Sequence, residues 1–396
     1  MTTSVSIDFR RSQIVAALAI GCVALMMLGL QPLLLGHLVE QQRVSLDGVG
    51  LVAMGEILAL GVGVILAGKF YSLRRLHLVA VLSCLVLAAL NLLTLAVRGD
   101  LACLAIRIAA GLAEASLFWI TTAVMVRARQ PDRLAGVFLT AQTLAQAAVA
   151  FILAKVSLQF LGWGEGFVAL AVASLLLLLV VRYLPKQVGT HTDAVTPSVV
   201  SLRGFWGLLV PFAHLSAVGT LWAYLEPLGK AAGIATEDAD VLVALVLIMQ
   251  IVGGSVASIA VRRWRVAPAI VASAVVFAAI GLALHGLPYH SVFAFTALCG
   301  LFGFVWLFQM PFHYRLAFDI DPSGRVAMLV PAAQLLGSGF GPLAASFGVH
   351  GDDVQHIPLI AGGLAACVVL ALFAVNYRVL FRHQRFGVLP DRERIK

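Results

Sequence analysis

Long apolar stretches separated by short polar breaks fill the chain, and none of them shows the two-residue alternation of a half-buried strand. Twelve apolar segments can be drawn, with ends good to a few residues. They run roughly over 14–36, 46–67, 76–97, 101–126, 134–160 and 162–182, then 204–228, 238–261, 266–286, 290–315, 324–348 and 356–380. A helix rising about 1.5 Å per residue needs about 20 residues to cross a hydrocarbon layer about 30 Å thick, and each segment has about that length. Backbone polar groups in lipid must be satisfied within their own segment, so every segment is predicted to be helical. Strands of a membrane barrel would alternate in polarity over about 10 residues, and no such pattern is present. The first segment is too long for a signal-peptide core and is followed by no clear small-residue cleavage site, so it is expected to be retained.

Composition agrees with the pattern. Of 396 residues, 61% are hydrophobic and only 12% charged, with a mean hydropathy of +1.00. The 27 Lys and Arg residues add an orientation. All but five lie before segment one, in or at the edges of alternate breaks, or in the tail. Arg43, Arg98 and Lys230 lie in the other breaks, and Arg107 and Lys155 lie inside segments. Basic loops stay in the cytoplasm, so both termini are expected there, as an even number of crossings requires. Lys155, near the outer end of segment five, is expected to snorkel to the interface. The net charge of +8 then needs no nucleic acid; the basic tail reads as a solvated end near anionic lipid. Short loops and the absence of an Asn-x-Ser/Thr sequon fit a bacterial inner membrane, and a monomer is expected.

Enzyme chemistry leaves little trace. There is no phosphate-binding Gly-rich loop, no metal-binding His spacing and no nucleophile elbow, and no loop is long enough to fold as a nucleotide-binding domain. The five cysteines all lie in apolar segments without Cys-x-x-Cys spacing and read as small buried residues. No cofactor and no metal are expected.

The longest polar interruption, 183–203, follows segment six and reads as a cytoplasmic linker between a first bundle, 1–182, and a second, 204–396. The two echo each other. Arg133 precedes Gln142 by the same spacing as Arg325 precedes Gln334, 192 residues further on. Gly111 maps onto Gly303 at that shift, and Leu30-Gln31-Pro32-Leu33 echoes Leu225-Glu226-Pro227-Leu228. Glu56 and Gln250 stand 194 apart. Parallel duplication of a six-helix unit is the reading, giving an all-α membrane protein of two pseudo-symmetric six-helix bundles.

Several motifs now resemble the major facilitator superfamily, over nearly the whole chain. Arg107-Ile-Ala-Ala-Gly111 is similar to its helix-four motif, Gly162-Trp163-Gly-Glu-Gly-Phe167 to the turn opening helix six, and Asp321-Pro-Ser-Gly-Arg325 to a loop before helix eleven. Between helices two and three, Arg74 and Arg75 stand where a basic gating pair belongs, but Phe70 and Leu73 replace the expected Asp and Gly. The resemblance implies alternating access between rocking halves, with the substrate near the midplane. The efflux-type antiporter branch is the nearest in feel, although its helix-five Gly-x-x-x-Gly-Pro signature is missing. A Gly337-Ser-Gly-Phe-Gly341-Pro342 run stands on helix eleven instead.

Ionisable groups inside a bilayer cost about 2.5–3.5 kcal/mol each on insertion scales, which makes them functional candidates. Glu114 is expected near the midplane of segment four, with Arg107 and Gly111 on the same face. Glu56 in segment two and His214 in segment seven are equally deep. Glu114, Glu56, Arg107 and His214 are the candidate proton-coupling residues. The alternative for each is a polar clamp that only fixes packing; Arg107 could also hold an anionic substrate group, and His214 could bind substrate. Gln142, Gln146, Gln250 and Gln334, with Trp119 and Trp306, are candidate substrate contacts; they could equally bond neighbouring helices. Arg74, Arg75, Glu226 and Pro227 are candidate gates, with Glu226 read equally as a rim residue, and Pro227 is expected to kink segment seven. Aromatic walls with few charges suit an amphipathic or aromatic organic solute. The expectation is a proton-coupled secondary transporter of such a solute, acting in efflux. A metabolite importer is the alternative within that class, and a non-transporting membrane sensor the alternative outside it.

Overall fold

In the computed structural model of the chain, the described residues are 8–71, 75–129, 131–153, 164–186, 188, 201–288, 291–322, 325–349 and 353–375. All regular elements among them are helices. The first half holds α1 (Arg11–Ala24), α2 (Met26–Glu40), α3 (Leu46–Phe70), α4 (Leu76–Thr94), α5 (Asp100–Arg127), α6 (Pro131–Ile152) and α7 (Glu165–Val181). The second holds α8 (Leu202–Ala223), α9 (Leu225–Ala231), α10 (Thr236–Arg263), α11 (Val266–His285), α12 (Val292–Ile320), α13 (Arg325–Ser346) and α14 (Ile357–Ala374). Nine spans among the described residues are long and apolar enough to cross a membrane, and Gly136–Ile152 and Glu165–Val181 are shorter apolar helices. Lys155, Gly162, Trp163, Arg74, most of the 183–203 linker and the tail beyond 375 lie outside the described residues.

Two expected segments are each split into two helices. Segment seven breaks at Tyr224, three residues before Pro227. A proline ring clashes with the carbonyl four residues back and offers no N–H to it, so the bend falls on the turn before the proline. Segment one breaks at Leu25, where the backbone leaves helical geometry with φ −104° and ψ 10°. Pro32 then removes a second hydrogen bond further along α2.

The duplication read from sequence has a packing counterpart. A Cβ at Gly111 of α5 would run into the carbonyl oxygen of Glu56 on α3, and a Cβ at Gly303 of α12 would run into the carbonyl of Val246 on α10. The helix pairs α3–α5 and α10–α12 therefore approach backbone to backbone at equivalent points of the two halves. Without a hydrophobic driving force between helices in lipid, such close approach is what holds neighbours together.

The apolar cores show how the halves meet. At the face that carries the starts of α1 and α8 (the terminal face), the cores are separate. One there is built from Phe9 to Val188, and another from Val210 to Leu372. Toward the opposite, far face a single core joins both halves, including Leu33, Leu34, Leu221, Trp222, Tyr224 and Trp306. The bundles thus close against each other at the far face and part toward the terminal face.

Candidate functional site

In the first half, α3, α4 and α5 bring one buried polar cluster together. Arg107 is wholly buried, and Glu56 and Glu114 are 2% and 3% exposed. The Arg107 guanidinium spans both carboxylate oxygens of Glu56, with Nε donating to Oε2 at 3.0 Å and the second contact made by a terminal nitrogen. Its other terminal nitrogen donates to Asn91 Oδ1 at 2.8 Å and to Thr94 at 3.4 Å. Glu114 stands further off, at 3.9 Å. The Phe167 ring of α7 lies 5.5 Å from the guanidinium carbon. Arg107 therefore belongs first to Glu56, on another helix, and only secondarily to Glu114, seven residues along its own helix. Asn91 was not singled out from sequence; a lone amide in the apolar run of α4 was the available signal.

The cluster holds two carboxyls and one guanidinium. With all three ionised it would carry a net negative charge inside a layer that solvates no charge. A proton on one carboxyl makes it neutral. The arrangement can therefore hold and release one proton, provided that release coincides with entry of water.

The second half gathers a different set. His214 of α8 faces His313 of α12, with ring centroids 5.2 Å apart. Gln309, Trp306 and Met310 of α12 and Gln334 of α13 complete it. Of these, His214, Trp306 and Gln334 were candidates from sequence and Gln309 was noted on the same helix, whereas His313 and Met310 were not singled out. The remaining candidates are dispersed. Trp119 packs edge-on against Tyr71, centroids 5.6 Å apart, in the terminal-face core. Gln142 of α6 and Gln250 of α10 are buried on two helices that pack across the bundle boundary. One polar atom of each, Gln142 Oε1 and Gln250 Nε2, has no partner among the described residues. Arg75 is exposed at the start of α4.

Broken helices supply the far-face seal. The Leu28 carbonyl loses its intrahelical partner because Pro32 has no N–H, and the Trp222 indole of α8 donates to it at 2.8 Å. The Gln146 amide donates at 2.6 Å to the Leu25 carbonyl, at the α1–α2 break. Tyr224, at the α8–α9 break, accepts from the Gly50 amide of α3 at 3.0 Å. Above these, Lys230 meets Glu40 at 2.5 Å and Glu226 at 3.0 Å. Partial burial works against the Lys230 charge, but the bond to Glu40 and the presence of Glu226 outweigh it and lift its pKa above that of an ordinary lysine. Glu226 and Pro227 thus stand at the seal, where Gly36 of α2 lies against the Glu226 carboxyl.

Two bundles of membrane-length helices, sealed at one face and parted at the other around buried polar groups, define a class: carriers that expose a midplane site to one side at a time. The profile of the Major Facilitator Superfamily matches residues 16–342, well over half of the chain, and the chain belongs to that family of transporters. No curated protein matches the chain in sequence. Solved structures share the fold at low identity. The nucleoside transporter NupG superposes with a TM-score of 0.68 at 14% identity, covering 92% of this chain and 98% of that one. The inward-open xylose transporter XylE from E. coli gives 0.69 at 16%, covering 92% and 95%. A bacterial homologue of the human lysosomal transporter Spinster, inward-facing, gives 0.59 at 13%, covering 93% and 95%.

Proposed function

We propose that the chain carries a small amphipathic or aromatic organic solute across the membrane by proton-coupled alternating access, in efflux. The observation that carries the proton coupling is the buried cluster of two carboxyls on one guanidinium. With Glu56 tied to Arg107 through both oxygens, Glu114 is the carboxyl in excess and the one to carry the proton. Arg107, paired with Glu56, tunes Glu114 or holds an anionic group of the substrate. The substrate contacts are Gln142, Gln146, Gln250 and Gln334, with Trp306 and Trp119 as aromatic surfaces. Arg74 and Arg75 gate the terminal face, and Glu226 and Pro227 the far face. The units that rock are 1–182 and 204–396, joined by 183–203. The protein works as a monomer in a bacterial inner membrane with both termini cytoplasmic. The conformation described is then the inward-facing one.

Import is the second reading. It is favoured by the likeness to a D-xylose-proton symporter, with a TM-score of 0.69 at 16% identity, and by the missing helix-five antiporter signature. Proteoliposomes loaded with a pH-sensitive dye and offered amphiphilic cations, aromatic acids, nucleosides and pentoses separate the two by the direction of proton movement that each solute evokes. Glu114→Gln is expected to lower solute-evoked proton flux while leaving solute exchange at equal concentrations intact. Full gradient-driven transport in both Glu114→Gln and Glu56→Gln would sink the proton assignment.

A further inference from the structure

The second-half cluster contains a titratable group to which the reading above gives no role. On α12, Phe302, Trp306, Gln309 and His313 recur at spacings of four, three and four and share one helix face. His214 and Gln334 meet that face from α8 and α13. Hydrogen-bond roles follow from the partners. The Trp306 carbonyl can only accept, so His214 Nε2, 3.4 Å away, carries its hydrogen. The Gln334 amide nitrogen can only donate, and at 3.2 Å it does so to His313 Nδ1, which must be bare. His313 Nε2 then donates to Gln309 Oε1 at 3.3 Å. Gln309 is wholly buried, and its own amide nitrogen has no partner among the described residues. His313 is therefore neutral in this arrangement. Among the described residues, the titratable neighbour of His313 is His214, and the ring contacts of the two include no carboxylate. Arg315, two residues along α12, bonds instead to the Val261 carbonyl of α10.

These side chains close on one another, so the ligand that fits among them is a proton. We infer that His313, backed by His214, is a second proton-binding site, filled only when the bundles leave the conformation described here. The inference deepens the proton-coupled reading and rests on it for its link to transport. A proton taken from water onto His313 Nδ1 would turn that nitrogen into a donor facing another donor, the Gln334 amide. Gln334 must then present its oxygen instead and give up the Met310 sulfur, which its nitrogen now meets at 3.0 Å. A buried imidazolium with no counter-charge is costly, so the protonated form favours a different packing of α13. That helix packs on α8 within its own half and on α3 across the boundary. The site therefore sits where the halves move against each other, and the proton returns to water when they move back.

Spin labels on cysteines replacing Arg11 and Leu202, both exposed at the terminal-face ends of α1 and α8, would test this in the full chain in liposomes. Cys22 and Cys367, the two cysteines that are not buried, are first replaced by Ala. Distance distributions are taken from about pH 5 to about pH 8, the range in which imidazole titrates. Acidification is expected to deplete the parted-terminal-face population by up to about tenfold per pH unit and per coupled proton. His313→Gln should flatten the histidine part of that response, and Glu114→Gln should leave it in place. Should His313→Gln not fold, His313→Asn and His214→Gln, which lacks the supporting ring, are read in the same way. A His313 variant that titrates as the parent does overturns the inference. A response lost in the His313 variant but unchanged in Glu114→Gln would sink the carboxyl reading and leave this one standing.

Discussion

Removing Glu56 and Glu114 singly and together gives the sharpest test of the first-half cluster. Arg107 is wholly buried, and breaking a buried ion pair by deleting one partner costs about 3–5 kcal/mol when the remaining charge has no substitute. Here a substitute stands 3.9 Å away. In Glu56→Gln, Glu114 can ionise and take over, and Asn91 and Thr94 keep their bonds to the guanidinium. The expected loss is about 1–2 kcal/mol, the scale of weakened hydrogen bonds rather than of an abandoned charge. Glu114→Gln removes the carboxyl in excess and should cost less than about 1 kcal/mol. The double variant strands Arg107, and the full cost of about 3–5 kcal/mol should then appear. The coupling between the two sites is therefore about 1–3 kcal/mol beyond additivity, measurable by reversible unfolding in mixed micelles with increasing denaturing detergent. Additive losses would show that Glu114 does not share Arg107. A loss in Glu114→Gln as large as that in Glu56→Gln would invert the assignment of the excess carboxyl.

The far-face seal and the glycine contacts give three more. Trp222→Phe keeps the ring but removes the donor to the Leu28 carbonyl, which Pro32 leaves without another; the parted far face should gain about 1–2 kcal/mol, read as faster labelling of a cysteine placed at Leu33. The Lys230 pairs are partly exposed and should contribute no more than about 1 kcal/mol to that seal. Because the Lys230 pKa is raised, this contribution is fully present below the ordinary lysine value and is lost only as pH rises through the raised one; spin-label distances across the far face should be insensitive to this pair at neutral pH and change in strong alkali. Gly111→Ala and Gly303→Ala should each destabilise by about 1–3 kcal/mol, by the detergent assay, since the added methyl meets backbone rather than a flexible side chain.

Segment positions and the two-fold repeat were open to sequence reading because both rest on local signals: apolar run length, and identical residues at a fixed shift. Gly111 and Gly303 show the reading at its best, since a backbone contact needs the same small residue in both halves. The break at Leu25 was not legible, because no proline or glycine stands there and the cause lies in what α6 and α8 offer the freed carbonyls. The partner of Glu56 was not legible either. It is 51 residues away on another helix, and Arg107 looks in sequence like a partner of Glu114, on its own helix face. His313 escaped because it stands two residues before Arg315, at the expected end of its segment. The helix continues to Ile320, which places that histidine deeper than the charge pattern suggests.

The halves share a frame and differ in their chemistry, and the difference bears on how such a carrier can be coupled. At the 192-residue shift Glu114 corresponds to Trp306 and Thr121 to His313. In the first half the deep position is ionisable and the shallower one is a hydroxyl bonded at 2.7 Å to the Ala17 carbonyl of α1. In the second half the deep position is aromatic and the shallower one is the imidazole. A fixed guanidinium needs a permanent counter-charge, so Arg107 and Glu56 must stay paired, and only the excess carboxyl can change. The imidazole pair has no permanent charge and can be neutral in one packing and cationic in another. Duplication thus supplied equivalent helices in α5 and α12, and divergence set them against different neighbours: α5 meets α3 and α4 around a charge that anchors, and α12 meets α8 and α13 around a charge that can come and go.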